Sequence, residues 1–162
     1  MSLKADAEKG DAEAQFLLGF AYVNGEDVER DYREGLKCYR KAADQGSIMG
    51  QFHLALLYEE GHLGQKDYAE ARKWYRKAAE QGDPKAHWAI GLMYRYGDGI
   101  EKDYVEAYAF LNLAARFEAG AGKDRDDLEK MMSSQQVGEA QKRTRELRSH
   151  FKMREIELPA SK

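Results

Sequence analysis

DPKAHWAIGLMYRYGDGIEKDYVEAYAFLNLAARFE, residues 83–118, decides the fold, because the chain writes the same 36-residue pattern twice upstream, over 11–46 and 47–82. Tyr94 matches Tyr58 and Tyr22. Gly97 matches Gly61 and Gly25, Asp103 matches Asp67 and Asp31, and Tyr104 matches Tyr68 and Tyr32. Each copy closes on an alanine pair: Ala42-Ala43, Ala78-Ala79 and Ala114-Ala115. A fixed period of this length is the signature of stacked supersecondary units, so it is read before any local motif.

Each copy reads as two antiparallel helices. The first covers 11–23, 47–59 and 84–95, with apolar residues at helical spacing: Ala14, Phe16, Leu18 and Tyr22, then Gly50, Phe52, Leu54 and Tyr58, then Ala86, Trp88, Ile90 and Tyr94. Asp83 before Pro84 is an N-cap followed by proline at N1, and Ser47 caps the second copy. The small residues Gly19, Ala55 and Gly91 let the partner helix come close. Gly25, Gly61 and Gly97 stop the first helix in a left-handed conformation.

The second helix starts at Asp31, Asp67 or Asp103 and runs to 44, 80 or 116. Glu34, Glu70 and Glu106, three residues after each aspartate, predict reciprocal capping boxes. Gly99 has no glycine counterpart in the first loop, where Asp27 stands, and the second loop has Leu63 followed by Gly64. Those two loops are therefore expected to turn differently from the third.

The repeat frame extends to both ends. Leu3 to Gly10 matches Tyr39 to Gly46, so it is either a partial helix capping the array over 1–10 or the end of a further unit. After Phe117 the period fails. Gly120 and Gly122 predict a break, then a short helix from Lys123 to Met132 and a longer one from Ser133 or Ser134 to about Arg154, within a cap over 119–156. The tail from Glu157 to Lys162 is expected to fray.

Composition excludes several classes. An apolar fraction of 43% and a charged fraction of 34% describe a folding chain. A net charge of -3 gives no global reason to expect nucleic acid. No run reaches the roughly 18–20 apolar residues of a membrane span, so no membrane insertion is expected, and the compartment is left open. One cysteine, Cys38, excludes an internal disulfide framework. His53, His62, His87 and His150 do not cluster, so neither metal nor cofactor is expected. The Asp/Glu pairs have a capping explanation, and no catalytic constellation stands out. Six basic residues between Lys142 and Arg154 against the single acid Glu146 are taken as a solvated helix face.

These features resemble the Sel1-like repeat, a relative of the tetratricopeptide repeat. The third unit fits best, through Ala86, Ile90-Gly91, Tyr94, Gly97, Gly99, Asp103, Ala107 and Ala114-Ala115. The resemblance implies an all-α fold, a right-handed α/α superhelical solenoid of antiparallel helix pairs forming a single repeat domain over 1–162. It further implies a non-enzymatic adaptor or scaffold for an unidentified protein or peptide, with a monomer favoured. Beta-lactam binding, linked to some cysteine-rich relatives, is not carried over, because Cys38 has no pair. By analogy with the tetratricopeptide arrangement, the first helices line the concave side. That selects Phe16, Phe20 and Asn24, then Phe52, Leu56 and Glu60, then Trp88, Leu92, Arg95 and Tyr96 as partner-binding residues. A structural or self-associating module without a groove in use is the alternative.

Overall fold

The computed structural model describes residues 2–151, and within them every regular element is helical. In chain order these are α1 (Leu3–Glu8), α2 (Ala12–Asn24), α3 (Tyr32–Asp44), α4 (Ile48–Glu60), α5 (Tyr68–Glu80), α6 (Pro84–Tyr96), α7 (Tyr104–Ala114), α8 (Ala119–Glu129) and α9 (Ser134–His150). The pairs α2/α3, α4/α5 and α6/α7 are hairpins. Contacts of α3 with α4 and of α5 with α6 stack one hairpin on the next, α1 packs on α2, and both α8 and α9 lie on α7. The result is an α/α solenoid with a helical cap at its C-terminal end.

Local chemistry sets the helix ends. Asp11, Ser47 and Asp83 accept the amides of Ala14, Gly50 and Ala86 through their side chains. Gly25, Gly61 and Gly97 take φ of 73°, 73° and 76°, the left-handed C-cap. The aspartates before the second helices cap as expected, Asp67 accepting the Glu70 amide at 3.0 Å and Asp103 the Glu106 amide at 3.0 Å. The expected reciprocal bond does not form. The amides of Asp31, Asp67 and Asp103 donate instead to the carbonyls of Tyr22, Tyr58 and Tyr94, at 2.9, 2.9 and 3.0 Å. The glutamates are thereby released for other contacts: Glu70 accepts from Trp74 Nε1 at 3.2 Å and Glu106 from Arg143 Nε at 2.6 Å. A complete capping box stands at α9, between Ser133 and Gln136.

The loops also correct one expectation. Asp27 adopts φ 59°, close to the 66° of Gly99, so the first loop keeps the turn of the third with an aspartate in the left-handed position. Aspartate tolerates that region better than most residues. The second loop does differ, moving its positive φ to Gly64 (134°).

Hairpins close through small residues and stack through large ones. A Cβ on Gly19 would lie 2.7 Å from the Tyr39 ring, and one on Gly91 2.9 Å from Leu111 Cγ, so glycine there is a condition of the α2/α3 and α6/α7 approach. Trp74 and Tyr75 of α5 are 1% and 0% exposed. Burial on that scale contributes roughly 1.5–3 kcal/mol per side chain. Arg40 of α3 reaches across the seam, donating to the Tyr58 hydroxyl at 2.6 Å with its guanidinium 5.0 Å from the Trp74 ring.

A polar relay runs beside this core. Gln15 Nε2 donates to the Ala7 carbonyl, and its side-chain oxygen accepts from Gln45 at 2.7 Å; one unit later Gln51 donates to the Ala43 carbonyl and accepts from Gln81 at 2.9 Å. The third unit breaks it. His87 stands at the glutamine position, fully buried, and neither ring nitrogen has a hydrogen-bond partner among the described residues. Phe151, following α9, packs edge-on against the His87 ring at 4.9 Å.

The cap differs from the sequence expectation at its start. Gly120 and Gly122 do not interrupt the chain; both lie inside α8, which begins at Ala119, and α7 stops at Ala114. A Cβ at Gly120 would come within 2.3 Å of the Trp88 ring. The glycine marks close packing of α8 on α6, where a further first helix would lie. Leu128, Ala140, Leu147 and Phe151 are buried as the cap face requires, whereas Met131 is 58% exposed. The expected end of α9 near Arg154 and the tail from Glu157 to Lys162 lie outside the described residues.

Candidate protein-interaction groove

Because the first helices α2, α4 and α6 occur at the same point of successive hairpins, equal repeat positions stand side by side on one face. Between α2 and α4 this face is filled. The His53 ring sits 5.1 Å from Phe16, 6.0 Å from Phe20 and 5.5 Å from Tyr39, and Phe16 stacks on Tyr39 at 5.7 Å. Between α4 and α6 it is open. The residue one unit after His53 is Ala89, and a cavity of about 250 Å³ occupies the space an imidazole fills in the previous seam.

Its lining is Phe52, Leu56 and Glu59 from α4, Tyr75 from α5, and Lys85, Trp88, Ala89 and Leu92 from α6. Four of the expected residues therefore meet: Phe52, Leu56, Trp88 and Leu92. Two charges mark its ends. Glu59 is held by the Tyr75 hydroxyl, which donates to Oε2 at 2.6 Å, and burial with the Glu59 carboxylate beside it pushes the Tyr75 phenol far up. Lys85 stands near the start of α6. It adds to burial in pushing the His53 imidazole down. Lys85 occupies the repeat position of Met49, so about ten residues of helical rise, on the order of 15 Å, separate the two ends.

The other expected residues serve elsewhere. Phe16 and Phe20 are half-buried in the closed α2/α4 seam, and Asn24 and Glu60 are exposed at helix ends. Trp88, besides lining the groove, donates from Nε1 to Asp124 at 2.7 Å, and Arg95 donates to the Asp124 carbonyl at 3.0 Å. Both side chains therefore anchor α8. Tyr96 is 57% exposed with the Arg95 guanidinium 5.4 Å from its ring. Glu59, Tyr75, Lys85 and Ala89 were missed by sequence reading; the signal was the His53-to-Ala89 exchange at one repeat position.

Among the described residues no group of three or more His, Cys, Asp and Glu is placed to hold a metal ion, and no helix is long and apolar enough to cross a membrane.

Hairpins stacked one on the next at a fixed repeat define a tandem-repeat scaffold. Comparison with known families specifies it: the Sel1 repeat profile matches residues 12–47, 48–83 and 84–116, and the chain belongs to the Sel1 repeat family. Proteins of this family generally mediate protein–protein interaction on a non-catalytic scaffold. Among solved structures, a Sel1 repeat protein from Oxalobacter formigenes is 39% identical, with a TM-score of 0.67 over 72% of this chain and 49% of that one. A protective antigen of uropathogenic Escherichia coli displaying an SLR fold is 23% identical, with a TM-score of 0.52 over 92% of this chain and 48% of the other. That second likeness bears on fold alone. The chain spans about half the length of either protein. No curated protein matches it.

Proposed function

We propose that this chain is a non-enzymatic adaptor that holds an apolar peptide segment in the groove between α4 and α6. The observation that carries the reading is the exchange of His53 for Ala89, which leaves an apolar hollow between Phe52, Leu56, Trp88 and Leu92 where the neighbouring seam is packed shut. A hollow flanked by aromatic rings suits an inserted aliphatic or aromatic anchor, whose burial supplies affinity. Lys85 and Glu59 at opposite ends give the groove a polarity, so direction and register are set by the charges flanking the anchor. The binding mode is a helix or extended segment laid along the first helices.

Ala89→His tests this with a residue the fold already accommodates one unit earlier. Peptides selected from a random display library on the wild type are expected to lose affinity at least about tenfold on the variant, the equivalent of about 1.4 kcal/mol. The thermal melt should stay near that of the wild type. Equal binding by a folded Ala89→His chain would refute the groove. Sedimentation at rising concentration is expected to show a monomer.

A further inference from the structure

The basic run late in the chain divides in the structure. Arg143 turns toward α7, where Nε donates to Glu106 at 2.6 Å and Nη1 to Glu146 at 3.2 Å. Arg145 and Arg148, one turn apart on α9, face the other way. With Arg125 of α8 they line a polar groove of about 550 Å³ across α7, with Tyr108, Asn112 and Glu129 among its walls. Arg125 is fixed, donating from Nη1 to Asn112 at 2.7 Å and from Nε and Nη2 to Asp126. Arg145 and Arg148 are exposed and make no hydrogen bond or ion pair among the described residues. Glu129 accepts from the Tyr108 hydroxyl at 3.3 Å.

We propose that this groove on the cap binds a short acidic segment of a second protein partner. Two unpaired guanidinium groups beside a third, fixed one offer planar forks that match carboxylates in pairs. A nucleic acid fits less well. Tyr108 is 5% exposed and offers no ring face for base stacking. Asp124, Asp126, Asp127 and Glu129 along α8 repel a long polyanion, whereas a few carboxylates are accommodated between the arginines. The site shares no residue with the groove between α4 and α6, so the chain gains a second surface, and a scaffold with two surfaces can bridge.

The probe is fluorescein-labelled hexaglutamate, followed by anisotropy in about 20 mM salt, where screening is weak. Wild type is expected to bind it, and Arg145→Ala/Arg148→Ala to bind at least about tenfold more weakly with an unchanged circular-dichroism melt. Ala89→His is expected to bind like wild type. The proposal is overturned if wild type does not bind, if the double variant binds equally, or if Ala89→His loses the peptide. It is also overturned if oligothymidylate of equal charge competes as well as unlabelled hexaglutamate.

Discussion

Replacing His87 with glutamine should change how the stability of this protein responds to acid. His87 is fully buried, with neither nitrogen hydrogen-bonded among the described residues, against Phe110 and Phe151. Burial pushes its imidazole down to about 4, and the nearby Asp83 carbonyl offsets a smaller part. An unfolded histidine titrates near 6.5. Because the folded value is the lower one, the unfolded chain binds the proton more readily. Stability is therefore complete above about pH 6.5, falls as pH drops, and the loss levels off below about 4. Linkage gives a loss of about 2 kcal/mol at pH 5 and roughly 3 kcal/mol at the acid limit. The glutamine of His87→Gln carries no titrating group, and the relay predicts that it donates to the Ala79 carbonyl, as Gln15 serves Ala7 and Gln51 serves Ala43. At pH 7.5 that bond, worth about 1 kcal/mol, opposes the loss of the ring contacts, so the two chains should be of similar stability. Urea unfolding of both at pH 7.5 and 5.0 isolates the effect. His53, pushed down by burial and Lys85, and Asp83, pushed up by burial, are common to both and drop out of the difference. Parallel losses from pH 7.5 to 5.0 would refute the reasoning, since His87 would then not be the group that resists protonation.

Two substitutions test how the hairpins are held. Gly91→Ala places a methyl 2.9 Å from Leu111 Cγ and 3.1 Å from its amide nitrogen. Overpacking of about 1–3 kcal/mol against a helix-propensity gain of about 1 predicts a net loss of about 1 kcal/mol in urea unfolding; a stabilised variant would show that α7 can yield. Asp67→Ala removes the acceptor of the Glu70 amide and should cost about 0.5–2 kcal/mol. An unmoved unfolding midpoint would mean the α5 cap contributes nothing.

The hairpins and their boundaries were legible because every signal recurred three times in register. A single Asp-x-x-Glu is an ambiguous cap; three at the same phase, each after a glycine-marked loop, are not. The reciprocal capping bond does not form because the aspartate amides have a partner nine residues upstream, in the Tyr22, Tyr58 and Tyr94 carbonyls, which the Asp-x-x-Glu motif alone does not reveal. At α8 the period no longer guides, and the two glycines read as a break until Trp88 is seen lying on Gly120. The candidate site was legible as a face and not as a groove. Periodicity puts Phe16, Phe52 and Trp88 side by side. Whether the seam between two of them is filled depends on His53 reaching across to Phe16 and on Ala89 being too short to reach Phe52.

The amide-to-carbonyl bonds from Asp31 to Tyr22, Asp67 to Tyr58 and Asp103 to Tyr94 each close a nine-residue span. Closing so short a loop is entropically cheap, with the cost growing only as the logarithm of length. Each unit can thus form its own corner before its neighbours arrive, which keeps the sequence separation of early contacts small and favours rapid folding. A chain clasped this way can also gain or lose a whole unit through evolution without shifting the register of those that remain, so its length can change in steps of one hairpin.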